Sequence, residues 1–384
     1  MKAWQRWSLW LLLAGSLAVA WTWPLAIELD DHLIGKPFDP DMQCGLWWPR
    51  AVADSLLALE DPFWRPELNW PTGQDVRLLV WNLGAQLVTL PIQALARPVA
   101  ALNLATFLAL TLNGLACAWA GWRATKDEAA SVVALAVGAC SAYAFWEAGS
   151  GRIEQGLWAP VAVYLGALLW LRNSPGHKGA LALAGASLAA AGAIYWFYAY
   201  FLGIATLAWA LPRLREPRRL LEYAGIGGLA LLLVAPLVVP IAAALSEQGN
   251  EYSSMLASLD PMRQKMAASL ELPNALLLGR TQDPARKVPL LLIPAALVAL
   301  RWRPLRGPAL WTLLALLMAL GPIAVAYRGA PLVLAGSPLK LPGGLLEWLP
   351  GYERFWWPYR WLALALPGLA VVLAGLVARL PRGR

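Results

Sequence analysis

Carboxylates and arginines in an otherwise apolar chain mark where its chemistry sits. Residues 29–75 hold Asp30, Asp31, Asp39, Asp41, Asp54, Glu60, Asp61, Glu67 and Asp75, a large share of the 23 acids. Asp39-Pro40-Asp41 stands just before the aromatic pair Trp47-Trp48. A carboxylate at a membrane surface can take a proton from an acceptor hydroxyl as a general base. It can equally give oxygen ligands to a divalent cation such as Mg2+ or Mn2+. The plainer alternative is a solvated acidic loop with Asp as turn former.

Four further polar stretches carry candidates. In Trp146-Glu147-Ala148-Gly149-Ser150-Gly151-Arg152-Ile153-Glu154-Gln155 two apolar runs meet at a short turn. Arg152 and Glu154 therefore fall at the mouth of a helix bundle, where ionisable groups are functional candidates; a snorkelling Arg is the alternative. Tyr195-Trp196-Phe197-Tyr198-Ala199-Tyr200 offers rings for a sugar or lipid chain, or an interfacial belt. Residues 246–287 hold Arg263, Lys265, Arg280, Arg286 and Lys287, any of which can hold a lipid-linked phosphate. Leu349 to Arg360 brings Arg354 and Arg360 toward the last apolar run from the side where arginine is disfavoured, which asks for an anionic partner or lipid headgroups. No P-loop, zinc-protease or nucleophile-elbow motif is present. Two histidines cannot build a multi-His centre, and the three cysteines have no metal or redox spacing.

These residues need a scaffold, and composition says which. The chain has 384 residues, of which 59% are hydrophobic and only 14% charged, against about 25% charged in soluble domains. Apolar runs near the spanning length of roughly 20 residues predict one integral membrane domain over 1–384, an all-α polytopic helical bundle. Spans are expected at 8–27, 99–121, 129–146, 156–171, 179–194, 197–211, 223–245, 288–301, 308–327 and 360–379. The run 78–96, broken by Asn82, Gln86, Pro91 and Gln93, is expected to be re-entrant or interfacial. Short basic loops then lie on one side and the loops 29–75, 246–287 and 328–359 on the other, which places both termini in the cytoplasm. The +8 net charge follows from those basic flanks and calls for no nucleic-acid partner.

These motifs in this order resemble bacterial GT-C type glycosyltransferases, including the loosely related YfhO-like membrane proteins. The resembling features are the acidic first outer loop, Asp39-Pro40-Asp41, leading into a Trp-rich amphipathic run; the turn Asn69-Trp70-Pro71-Thr72-Gly73; the span start Trp158-Ala159-Pro160; and Leu349-Pro350-Gly351-Tyr352-Glu353-Arg354-Phe355-Trp356-Trp357-Pro358-Tyr359-Arg360-Trp361. The resemblance implies a bacterial inner-membrane enzyme with a large first outer loop carrying amphipathic helices. It would transfer a sugar from a polyprenyl-phosphate donor to a glycan, lipid or protein acceptor by an inverting displacement. Carried over, Asp41 is the first candidate base, Asp39 the second, and the Asp30-Asp31 pair the third. Arg152, Glu154, Arg354 and Arg360 are the candidate donor-binding residues. Two other classes fit the same composition: a non-catalytic assembly subunit with protein partners, and a lipid or solute transporter.

Overall fold

The computed structural model describes residues 2–34, 40–77, 82–211, 215–257, 260–271, 286, 288, 292–327, 330–349, 352 and 355–381, with side chains left aside at 248–257 and 261. It is mostly helical. The helices are α1 (Ala3–Trp21), α2 (Pro40–Ala58), α3 (Leu83–Leu95), α4 (Pro98–Thr125), α5 (Glu128–Ala139), α6 (Ala142–Gly149), α7 (Ile153–Gly156), α8 (Ala159–Asn173), α9 (Lys178–Ile194), α10 (Trp196–Ala210), α11 (Pro217–Ala257), α12 (Pro261–Ala267), α13 (Leu292–Ala299), α14 (Arg303–Ala319) and α15 (Leu362–Val377). Among the described residues the strands form three two-stranded ribbons: β1 (Trp64–Arg65) with β2 (Gln74–Asp75), β3 (Val325–Tyr327) with β4 (Ala330–Pro331), and β5 (Val333–Leu334) with β6 (Ser337–Pro338).

Among the described residues four stretches are long and apolar enough to cross a membrane: Pro98–Thr125, Glu128–Gly149, Pro217–Glu247 and Pro358–Val377. They differ in what surrounds them. The window in Pro358–Val377 is 83% buried, that in Pro98–Thr125 61%, and that in Pro217–Glu247 only 11%. So α15 and α4 form the centre, with α5, α8 and α14 around them, while α11 lies outermost and exposes Leu231, Leu232 and Val239. An apolar face of that kind is stable against lipid or another protein, not against water.

Local chemistry explains the helix ends. Pro98 opens α4, where its missing N–H is no loss. Asp127 then caps α5 by accepting from Ala130 N–H, and Ser141 caps α6 by accepting from Ala144 N–H. The run expected as one span at 129–146 is thus two helices joined at Cys140-Ser141. Of the run 308–327, residues 325–327 form β3 rather than helix, and the loop after 328 is partly ribbon. Helix α3 occupies 83–95 of the 78–96 segment; 78–81 lie outside the described residues. Small residues let the central helices cross closely. A Cβ on Gly138 of α5 would run into the Asn113 carbonyl and Gly114 Cα of α4.

Gly138→Val is therefore expected to overpack that crossing at a cost of about 1–3 kcal/mol. The thermal unfolding midpoint of the detergent-solubilised protein checks it; an unchanged midpoint would show that α4 and α5 have room to separate there.

Candidate functional site

A buried carboxylate organises the site. Glu147 sits on α6 and is fully inaccessible to solvent. Its Oε2 accepts from Arg152 Nε at 2.6 Å, and its Oε1 accepts from the Tyr359 hydroxyl at 2.6 Å. Arg152 N–H also donates to the Glu147 carbonyl at 3.0 Å, closing the turn between α6 and α7. With Nε committed, the Arg152 guanidinium reaches outward, and its Nη1 donates to Asp41 Oδ2 at 2.7 Å. Asp41 lies in the first turn of α2, where the helix dipole favours an anion.

Two glycines make that approach possible. A Cβ on Gly45 would strike the backbone of Gly151, and a Cβ on Gly151 would strike the Asp41 carbonyl and Met42 Cα. Gly151 also has φ +88, a conformation that side-chain-bearing residues rarely adopt. The start of α2 and the 150–152 turn thus touch backbone to backbone.

Beside this contact lies a cavity of about 400 Å3. Its wall combines Asp41, Trp47 and Trp48 of α2, Asn82 and Gln86 at the start of α3, Arg152, Glu154 and Gln155 of the turn and α7, Tyr195 to Phe197, and Trp356, Trp357 and Arg360. Arg360 is 4% exposed. Its Nη1 donates to the Tyr195 hydroxyl at 2.6 Å, and its guanidinium lies 4.1 Å from the Trp357 ring centroid. Among the described residues no carboxylate lies within ion-pairing distance of it, and its buried Nε has no hydrogen-bond partner. Trp48 Nε1, Asn82 Oδ1, Gln86 Oε1 and Gln155 Oε1 belong to the same wall and are likewise buried without a partner. Buried polar atoms are nearly always satisfied, so this part of the wall calls for polar partners, ordered water among them.

Glu154 is partly buried in the same wall. Burial is the main cause that pushes its carboxyl from the ordinary 4.5 up to about 7, against the opposing pull of a backbone hydrogen bond, Arg360 and Arg152. It is therefore part protonated near neutrality and can donate a hydrogen bond to an anion instead of repelling it.

Asp41, Arg152, Glu154 and Arg360, taken from motifs far apart in the chain, thus line one cavity. Asp39 and Arg354 lie outside the described residues. Asp30 and Asp31 are exposed and do not line the cavity; their turn is pinned by Asn103 Nδ2, which donates to the Leu29 and His32 carbonyls, each at 2.8 Å. Lys265 of the 246–287 loop is buried and paired with Glu347. The residue types alone did not single out Glu147, Tyr195 or Tyr359 for these roles. Glu147 did leave a signal, a lone acid inside an apolar run, which demands a partner.

Among the described residues no group of three His, Cys, Asp or Glu side chains is placed to hold a metal ion. Both oxygens of Glu147 are engaged by Arg152 and Tyr359. Among the described residues this donor set does not fit a divalent cation. Comparison with protein-family models, with curated proteins and with solved structures found no match.

Arg152→Ala strands the buried Glu147 carboxylate and is expected to cost roughly 3–5 kcal/mol. Adding Glu147→Gln should recover much of that loss, since Gln still accepts from Tyr359. Unfolding midpoints of the two single variants and the double variant check it, and additive losses would show that the two groups are not coupled. Glu154 has a raised pKa, so the folded state holds its proton more tightly than the unfolded state. Its contribution is full below about pH 4.5 and is lost as pH rises through about 7. Glu154→Gln should flatten that part of the pH–stability curve; an unchanged slope would remove Glu154 as its source.

Proposed function

We propose that the chain is a GT-C type membrane glycosyltransferase, a bundle of about ten spans in a bacterial inner membrane with both termini in the cytoplasm. It takes a sugar from a polyprenyl-phosphate donor. The single observation that carries this reading is Arg360: a buried guanidinium without a described acidic partner, lining a polar cavity that the Asp41 carboxylate also lines. A buried unpaired charge is costly, and a phosphate matches its planar donors.

Asp41 takes the proton from an acceptor hydroxyl. The resulting oxygen attacks the anomeric carbon from the face opposite the phosphate, and the bond to the phosphate oxygen breaks with its electron pair. Arg360 neutralises the departing phosphate, which is where transition-state charge grows. Glu154, part protonated, donates to the same phosphate. Arg152 is already engaged by Asp41 and Glu147, so it aims the base rather than binding the donor.

Two further features support the setting. Exposed tryptophans cluster at both ends of α1, Trp4 and Trp7 at one and Trp21 and Trp23 at the other. The 18 residues from Trp4 to Trp21 span about 25 Å of helix, close to the roughly 30 Å of a bilayer core. A second groove of about 560 Å3 shares Trp47 with the cavity and is lined by Trp64, Arg50, Asp54 and Glu67. Flat rings beside charged hydrogen-bonding groups suit a glycan acceptor. Trp64 is held against Gly73, where a Cβ would meet its ring.

The test is sugar transfer in proteoliposomes supplied with radiolabelled polyprenyl-phosphate sugars. Asp41→Asn should lower turnover by about 10^2–10^4-fold in folded protein, and Arg360→Met should abolish donor-dependent turnover. No turnover by the folded wild type with any donor, or full turnover in Asp41→Asn, would overturn the reading.

A further inference from the structure

At the far end of the bundle lies a cleft of about 680 Å3 between the ends of α8 and α10 and the start of α14. Helix α8 has 15 residues, about 22 Å of helix, and its end, Arg172 and Asn173, lines the cleft. Arg172, Arg303 and Arg306 line it together with apolar Ala205, Ala208 and Leu310 and the rings of Trp209 and Trp311. No acidic residue lines it among the described residues. Glu222, beyond Arg172 and Trp209, lines a separate small cavity and is paired with Arg219 at 2.8 Å.

The cleft is held open by local contacts. Gly307 admits the Trp209 ring, which a Cβ there would strike, and Trp209 meets Trp311 edge to face at 6.3 Å. Arg172 Nη1 donates to the Pro304 carbonyl at 2.8 Å, and Arg306 Nε donates to the Leu300 carbonyl at 2.9 Å. Each guanidinium is therefore positioned at the rim instead of drifting into solvent. Arg303 and Arg306 are exposed, as are Ala208 and Leu310 just below them. Basic residues at span ends are common, but a scattered basic flank has no cavity beneath it. Here three cations of one sign crown an apolar slot open to the side of the bundle.

We propose that this cleft binds an anionic phospholipid, with the headgroup phosphate on Arg172, Arg303 and Arg306 and an acyl chain along Ala205, Ala208 and Leu310. Charge complementarity selects the headgroup, and the apolar depth selects a lipid over a free anion. The inference rests on the chain crossing a membrane and not on the transferase reading, so the two fail separately.

The test uses the full chain in mixed micelles containing equal phosphatidylglycerol and phosphatidylcholine with identical chains, read by native mass spectrometry, with inorganic phosphate as a separate arm. Wild type is expected to retain phosphatidylglycerol over phosphatidylcholine. The variant R172Q/R303Q/R306Q should lose affinity on the order of 100-fold, since each basic residue near an anionic lipid contributes about fivefold. Ala208→Trp fills the slot while leaving all three charges, and it should also lose the lipid; it serves if the triple variant does not fold. Exposed arginines outside the cleft, in R215Q/R301Q, should have no effect. Equal retention of the two lipids, undiminished binding in the triple variant or in Ala208→Trp, or displacement of the lipid by millimolar inorganic phosphate would overturn the proposal.

Discussion

A carboxylate with no access to water must be paired, and Glu147 is paired twice. Arg152 Nε and the Tyr359 hydroxyl hold its two oxygens, which ties the end of α6 to the entry of α15, the most buried helix of the bundle. The geometry of the cavity wall depends on this tie. It fixes the direction of the Arg152 guanidinium, and that guanidinium in turn places Asp41. Removing one partner would leave a charge in a low-dielectric interior, so the arrangement tolerates little drift.

The charge balance around the cavity follows from the same constraint. Arg152 is spent on Asp41 and Glu147, while among the described residues Arg360 meets a hydroxyl and aromatic faces. The described cavity wall therefore has one cation paired with carboxylates and one without such a partner, plus a Glu154 carboxyl that burial keeps part protonated near neutrality. An anionic guest would complete this set. At the other end of the bundle a different balance holds. Arg172 and Arg306 anchor themselves on backbone carbonyls of Pro304 and Leu300, and no acid lines the cleft among the described residues.

Some of this was legible in residue types. An acid-rich stretch before Trp47-Trp48, an Arg-x-Glu turn between apolar runs, and arginines at the entry of the last run each break the apolar pattern, so each had to be accounted for. Tyr195 and Tyr359 were not legible in this way, because an interfacial tyrosine and a buried hydrogen-bonding tyrosine have the same sequence surroundings. Nor was the break at Cys140-Ser141, since an apolar run shows its composition but not whether a serine inside it caps a new helix. Gly45 and Gly151 read as ordinary turn and helix glycines until their backbones are seen to touch.

Sequence by itself determined that this chain is built of apolar helices interrupted by a few polar segments, and which side chains those segments contain. Periodicity and composition are local properties, and burial of apolar surface acts on them wherever they occur. Only the tertiary structure decided that Asp41, Arg152, Glu154, Tyr195 and Arg360 face one cavity, with Glu147 buried behind it, and which arginine has a carboxylate partner among the described residues. Pairing depends on distances of about 3 Å between residues as far apart in the chain as Tyr359 and Glu147. Those distances are set by how closely glycine and alanine let the helices approach.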